Sequence, residues 1–117
     1  MSIKVAIIDD HPLVRGGINA LLGYEADIEL TGNYSNSNQM LADFRSAQPD
    51  VLLLDLQMPD TSGFELIPLI TATYPSIKII VLTSIDSALI IRNLLHAGAK
   101  GYLLKTGNQE HIAEAIR

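Results

Sequence analysis

The chain has 117 residues, 48% of them hydrophobic and 18% charged, with thirteen acidic against eight basic side chains and a formal net charge of −5. That length predicts one domain, able to bury roughly 65% of its unfolded surface, and the apolar content excludes a disordered tail. The acidic balance argues against gripping a phosphate backbone unaided, and the lack of cysteine removes disulfides, thiol nucleophiles and thiolate zinc sites together.

The first apolar run, Ile3–Ile8, ends at Asp9-Asp10. It is far shorter than a membrane span of ~20 residues, and no secretory signal precedes it, so a cytoplasmic domain is expected. Behind Pro12, the residues Val14, Ile18, Leu21 and Leu22 form one stripe of a helix. The run Ile28–Tyr34 alternates with Glu29, Thr31 and Asn33, which predicts a strand with a wetter face, at an edge of the sheet. Ser35-Asn36-Ser37-Asn38 offers N-cap candidates for a second helix carrying Met40, Leu41 and Phe44.

Val51–Leu54 is continuously apolar, as strands buried on both faces are, and Asp55 follows it. A third helix behind Gly63 carries Phe64, Ile67 and Ile70, and Pro75 closes it. Ile77–Leu82 predicts a fourth strand leading into Thr83-Ser84. Asp86 or Ser87 caps a fourth helix, with Ala88, Ile91, Leu94 and Leu95 facing the core, Leu89 and Ile90 outside that stripe, and Gly98 as its stop. Gly101–Leu104 is a fifth strand, followed by Lys105. The last helix begins near Asn108, holds Ile112, Ala115 and Ile116, and is still running at Arg117. Residues 1–117 are therefore expected to be one domain cut from a longer protein.

Strict alternation of strand and helix predicts an α/β fold with a parallel sheet wrapped on both sides. Ligands bind outside the carboxyl ends of such strands, where this chain puts Asp9-Asp10, Asp55, Thr83-Ser84 and Lys105. Taken singly, Asp9 or Asp10 reads as a helix cap, Thr83 as a strand end and Lys105 as a solvated charge. Asp55 is different, because a carboxylate at the edge of a dry core is costly unless paired or metal-bound. Three carboxylates at one rim raise each other's pKa or demand a cation. Their oxygen donors favour a hard ion, Mg2+ above all. No Gly-rich phosphate loop follows any strand, which argues against a nucleotide. A carboxylate that itself receives a phosphoryl group remains, its oxygens met by the metal, the Thr83 hydroxyl and the Lys105 ammonium.

The set Asp9-Asp10, Asp55-Leu56-Gln57-Met58-Pro59 with Gly63, Thr83-Ser84 and Lys105 resembles the receiver domain of two-component response regulators across essentially the whole chain. The separations of 46, 28 and 22 residues between Asp9, Asp55, Thr83 and Lys105 fit that family. Asp9-Asp10-His11-Pro12-Leu13-Val14-Arg15 and Ala97-Gly98-Ala99-Lys100-Gly101-Tyr102-Leu103-Leu104-Lys105 resemble its LuxR/NarL-type branch, with Thr106 where many other branches have proline.

The resemblance implies a flavodoxin-like, doubly wound three-layer sandwich with strand order 2-1-3-4-5. It makes Asp55 the phosphoacceptor, and Asp10 and Asp55 direct ligands of Mg2+. Asp9 would act through water, and the backbone carbonyl of Gln57 would complete the protein ligands. Thr83 and Lys105 would hold phosphoryl oxygens, and Thr83 and Tyr102 would form the switch. The donor would be a phosphohistidine of a sensor histidine kinase. Output would use the face of the fourth helix, fifth strand and fifth helix, as a homodimer when phosphorylated. DNA would be reached only through a C-terminal helix-turn-helix module beyond Arg117. Apolar Ile85, beside the attacking water, is expected to lengthen the life of the acyl phosphate.

A stand-alone receiver acting by protein contact is the nearest rival. A magnesium phosphohydrolase would need an acid two positions after the nucleophile, where this chain has Gln57. A flavin or nucleotide carrier would need a phosphate loop in place of Asp9-Asp10-His11-Pro12. His11, His96 and His111 lack metalloprotease spacing. His11 reads as polar loop filler, and Arg15, Arg45 and Arg92 as solvated faces.

Overall fold

The computed structural model of the chain describes residues 2–56, 62–84, 87–104 and 112–116. Strands and helices alternate as β1 (Ile3–Ile8), α1 (Pro12–Leu22), β2 (Ile28–Tyr34), α2 (Ser37–Phe44), β3 (Val51–Asp55), α3 (Gly63–Thr73), β4 (Lys78–Thr83), α4 (Ala88–Ala97), β5 (Gly101–Leu104) and α5 (Ile112–Ile116). The five strands form one parallel sheet in the order β2-β1-β3-β4-β5. This is the flavodoxin-like order. β3 and β4 each reach one residue further than their apolar runs, so that Asp55 and Thr83 are part of the strands themselves.

All five residues of β3 are buried, because it pairs with β1 on one side and β4 on the other and carries helices on both faces. One core packs Ala6, Ile8, Leu52, Leu54, Ile79 and Val81 against Met40 and Phe44 of α2, Leu66, Ile67 and Ile70 of α3, and Leu94 of α4. The other packs Val5, Ile7, Leu53, Ile80 and Leu82 against Ile18 and Leu22 of α1 and Ile112, Ala113 and Ile116 of α5. Each Leu or Ile so buried contributes about 1.5–3 kcal/mol of transfer free energy. β2 is the edge strand its alternation predicts, with Glu29, Thr31 and Asn33 exposed, and its register against β1 shifts between Val5 and Ala6.

Side chains set the helix ends. Asn36 accepts from the Gln39 backbone N–H at 3.0 Å, and Ser62 and Ser87 accept from Phe64 and Ile90. Gly98 stops α4 at φ 129°, with its N–H donating to the carbonyls of Leu94 and Leu95. Gly63 starts α3 in close contact with β3: a Cβ there would lie 2.9 Å from both Leu54 Cδ2 and Leu56 Cα. Of the last helix, Ile112–Ile116 is described, whereas its expected start at Asn108 lies outside the described residues.

Two predicted helix faces need correction. Phe64 on α3 is exposed, and Leu66 takes the buried place beside Ile67 and Ile70. On α4 the core side is Ile90, Leu94 and Ala97, while Ala88 and Leu95 face outward. Both arcs of that helix are apolar, so the packing partner decides between them. Ile90 and Ala97 pack on the core shared with α2 and α3.

Candidate functional site

β1 and β3 are neighbours in the sheet but not in the chain, because the chain passes from β1 outward to β2 before crossing to β3. Their carboxyl ends therefore flank the point where the winding reverses, which is where such sheets form a crevice. Both strands end in acid. Asp9 is 0% and Asp55 1% exposed, and Asp10 is partly buried. Backbone pairing holds this rim: Asp9 N–H donates to the Tyr34 carbonyl at 3.1 Å, and Leu56 N–H to the Leu82 carbonyl at 3.0 Å.

Ligand atoms of Asp9, Asp10, His11 and Asp55 all lie within 4.8 Å of one another. Asp9 Oδ1 accepts from the His11 backbone N–H at 2.8 Å and lies 2.8 Å from the His11 ring nitrogen Nδ1. The same Nδ1 is 3.1 Å from Asp10 Oδ1 and 3.8 Å from Asp55 Oδ2. Arg15, one turn into α1, donates to the Asp9 backbone carbonyl. Neither His11 nor Arg15 is the bystander its surroundings in sequence suggest. His11 occupies the N-cap position of α1 without making a side-chain cap bond, and its ring instead lies against the acids. No acid caps α1.

Thr83 closes β4, next to β3, and is 2% exposed. Tyr102 does not join the acidic cluster. It pairs in register with Val81, is 41% exposed, and lines a groove of about 380 Å³ with Ala88, Ile91, Arg92, Leu95 and His96 of α4. This groove is the outward apolar arc of α4 described above. Gln57, Ile85, Lys105, Thr106 and His111 lie outside the described residues.

The residues present fit a divalent cation. Carboxylates from two strands converge on one point, and Asp10 Oδ1 is buried without a hydrogen-bond partner, an arrangement that a cation relieves. Oxygen donors of this kind suit a hard ion that also takes phosphate oxygens.

Residues 5–117 match the family described as the response regulator receiver domain. The chain belongs to that family. The receiver domain is 38% identical over 117 residues to the response regulator protein VraR of Staphylococcus aureus, covering all of this chain and 56% of that protein. It thus spans little more than half the length of the curated relatives it matches. The isolated receiver domain of RcsB from Salmonella enterica serovar Typhimurium, solved with the phosphomimetic BeF3−, superposes with a TM-score of 0.92 at 30% identity, over 99% of this chain and 86% of that one. A further RcsB structure holds two dimers bound to two parallel DNAs. The receiver domain of the putative response regulator NarL from Mycobacterium tuberculosis gives a TM-score of 0.89 at 27% identity, over 98% and 93% of the two chains. These relatives place the domain in the LuxR/NarL type of two-component response regulator. No helix among the described residues is long and apolar enough to cross a membrane.

Proposed function

We propose that this receiver domain is a phosphorylation switch whose acceptor is Asp55. A carboxylate oxygen of Asp55 attacks the phosphorus of a phosphohistidine on a sensor histidine kinase. The N–P bond breaks, and the imidazole leaves with its electron pair. Asp10, Asp55 and the Gln57 backbone carbonyl would hold Mg2+, with Asp9 acting through water, and the ion would supply charge neutralisation to the phosphoryl oxygens. Thr83 and Lys105 take the remaining phosphoryl oxygens. One observation carries this reading: three carboxylates from the ends of two adjacent strands, two of them fully buried, converge within 4.8 Å at the crevice of a receiver fold. The domain receives one phosphoryl group per chain rather than turning over a substrate.

Output lies on the α4-β5-α5 face, where the groove between α4 and Tyr102 exposes Leu95 and Ala88. Phosphorylated copies pair through it, and Thr83 and Tyr102 are the moving parts. A C-terminal helix-turn-helix module beyond residue 117 carries the DNA contact, in line with the DNA-bound RcsB dimers.

Intact mass after incubation with acetyl phosphate and Mg2+ tests the central step. One added phosphoryl group, lost in Asp55→Asn and in the absence of Mg2+, is the expected result. Undiminished single-site labelling of Asp55→Asn overturns the assignment.

A further inference from the structure

Asp9 and Asp10 are adjacent in the chain and follow the same strand, yet their oxygens are held differently. Asp9 Oδ1 accepts two hydrogen bonds from one residue, from the His11 backbone N–H and from the ring nitrogen Nδ1, both at 2.8 Å. A carboxylate oxygen only accepts, so Nδ1 carries the proton of that bond. The same Nδ1 lies 3.1 Å from Asp10 Oδ1, but Asp10 Oδ1 is buried without a hydrogen-bond partner. The ring N–H is thus committed to Asp9. The backbone sets this aim. Pro12 confines the residue before it to extended conformations, and His11 has φ −95° and ψ 108° with no side-chain cap bond to α1. The Asp9 main chain is fixed as well, its N–H donating to the Tyr34 carbonyl and its own carbonyl accepting from the Arg15 guanidinium.

We propose that His11 is a positioning residue that clamps the Asp9 carboxylate, so that Asp9 meets the cation through water while Asp10 binds it directly. The inference rests on the cation site of the proposed function and accounts for how two neighbouring acids divide the work there. With two donors on Oδ1, both of its lone-pair directions are used. Direct ligation through that oxygen would break a charge-assisted hydrogen bond, of a kind roughly twice as strong as a neutral one. Two donors on one oxygen also fix where the other stands, so the group cannot swing to meet an ion. Asp10 Oδ1 gives up no hydrogen bond on binding. A hard ion such as Mg2+ keeps several of its waters, which suits a carboxylate held back in this way.

Mn2+ takes the same carboxylate, carbonyl and water donors as Mg2+. Water enriched in the magnetic oxygen isotope broadens its EPR lines in proportion to the waters bound to the ion, which counts them. The count is made on the parent, His11→Ala and His11→Asn at saturating Mn2+, with displacement by MgCl2 confirming a shared site. The Asn amide nitrogen is as many bonds from Cα as Nδ1 is and can offer Asp9 the same N–H, whereas Ala offers none. The expected result is one bound water fewer in His11→Ala, where the released Asp9 carboxylate reaches the ion, and the parental count in His11→Asn. The His11 side chain is 59% exposed, so neither variant opens the core, and an unchanged far-UV circular dichroism spectrum checks each. A parental count in His11→Ala, or the same loss in both variants, overturns the inference and leaves the cation site standing. If the parent binds no Mn2+ that MgCl2 displaces, the cation site of the proposed function falls, and the inference with it.

Discussion

Replacing Asp10 by Asn separates the two demands on the acidic cluster, stability without a cation and affinity for one. At the cluster's outer spacing of 4.8 Å and an effective dielectric of ~20, two carboxylates repel by about 3.5 kcal/mol. Asp10 faces two such neighbours. Its side chain is 30% exposed and has His11 Nδ1 at 3.1 Å, so solvent and imidazole offset most of that, leaving a net gain of about 1–2 kcal/mol for the Asn variant in chelator. A cation at a hundredfold its dissociation constant stabilises the parent by about 2.7 kcal/mol, or about 10 °C in melting temperature for a chain of this size. The variant, short of one ligand, gains less. The expected pattern is a crossing: Asn more stable in EDTA, parent at least as stable in millimolar Mg2+. Urea unfolding with and without Mg2+ measures it. If the variant is no more stable in EDTA and Mg2+ shifts neither midpoint, the carboxylates do not share a site.

Tyr34 donates to Asp43 Oδ2 at 2.9 Å, and burial, with Asp43 next to it, pushes its pKa up from 10.0 to about 12. Because the folded value is the higher, the stabilisation is complete below pH ~10 and is lost as pH rises through about 12. Tyr34→Phe should therefore cost about 1 kcal/mol at pH 7, with the gap to the parent narrowing above pH ~10 in urea midpoints; a gap that widens refutes the sign. Gly98→Ala places a Cβ 2.5 Å from Thr71 Oγ1 at φ 129°, which should cost about 1–3 kcal/mol. An unchanged urea midpoint would show that this turn relaxes freely.

The strands were legible because burial on both faces leaves an unbroken apolar signature. Val51–Leu54 could hardly be anything else, and the acids at its end and at the end of Ile3–Ile8 then had to meet wherever parallel strands are adjacent. The end residues Asp55 and Thr83 entered the sheet because backbone pairing continues past the apolar run. The face of α4 was not legible. Ala88, Ile91 and Leu95 make as good a stripe as Ile90, Leu94 and Ala97, and only the three-dimensional packing on α3 and the sheet chooses between them. Phe64 misled for the opposite reason: its size suggested core, but the first turn of α3 turns it outward. His11 was missed because a loop histidine has no periodicity to betray it. Its one sequence signal was its place directly after two acids, at the point where the chain folds back over them. Lys105, Gln57 and Ile85 fall outside the described residues, so their roles stand on the family pattern and the chemistry of the crevice.

The β2 rim of the sheet bears on how copies of this domain meet. A strand with its hydrogen-bonding edge bare is a template for runaway stacking, and proteins defend against it with charge, irregularity or brevity. Here β2 carries Glu29 on its exposed face and a broken register against β1. That rim does not invite a neighbouring chain to add itself as a sixth strand. Any reversible handshake between copies is thereby steered away from it and toward helical surfaces, where contacts can be made and released without seeding a fibre.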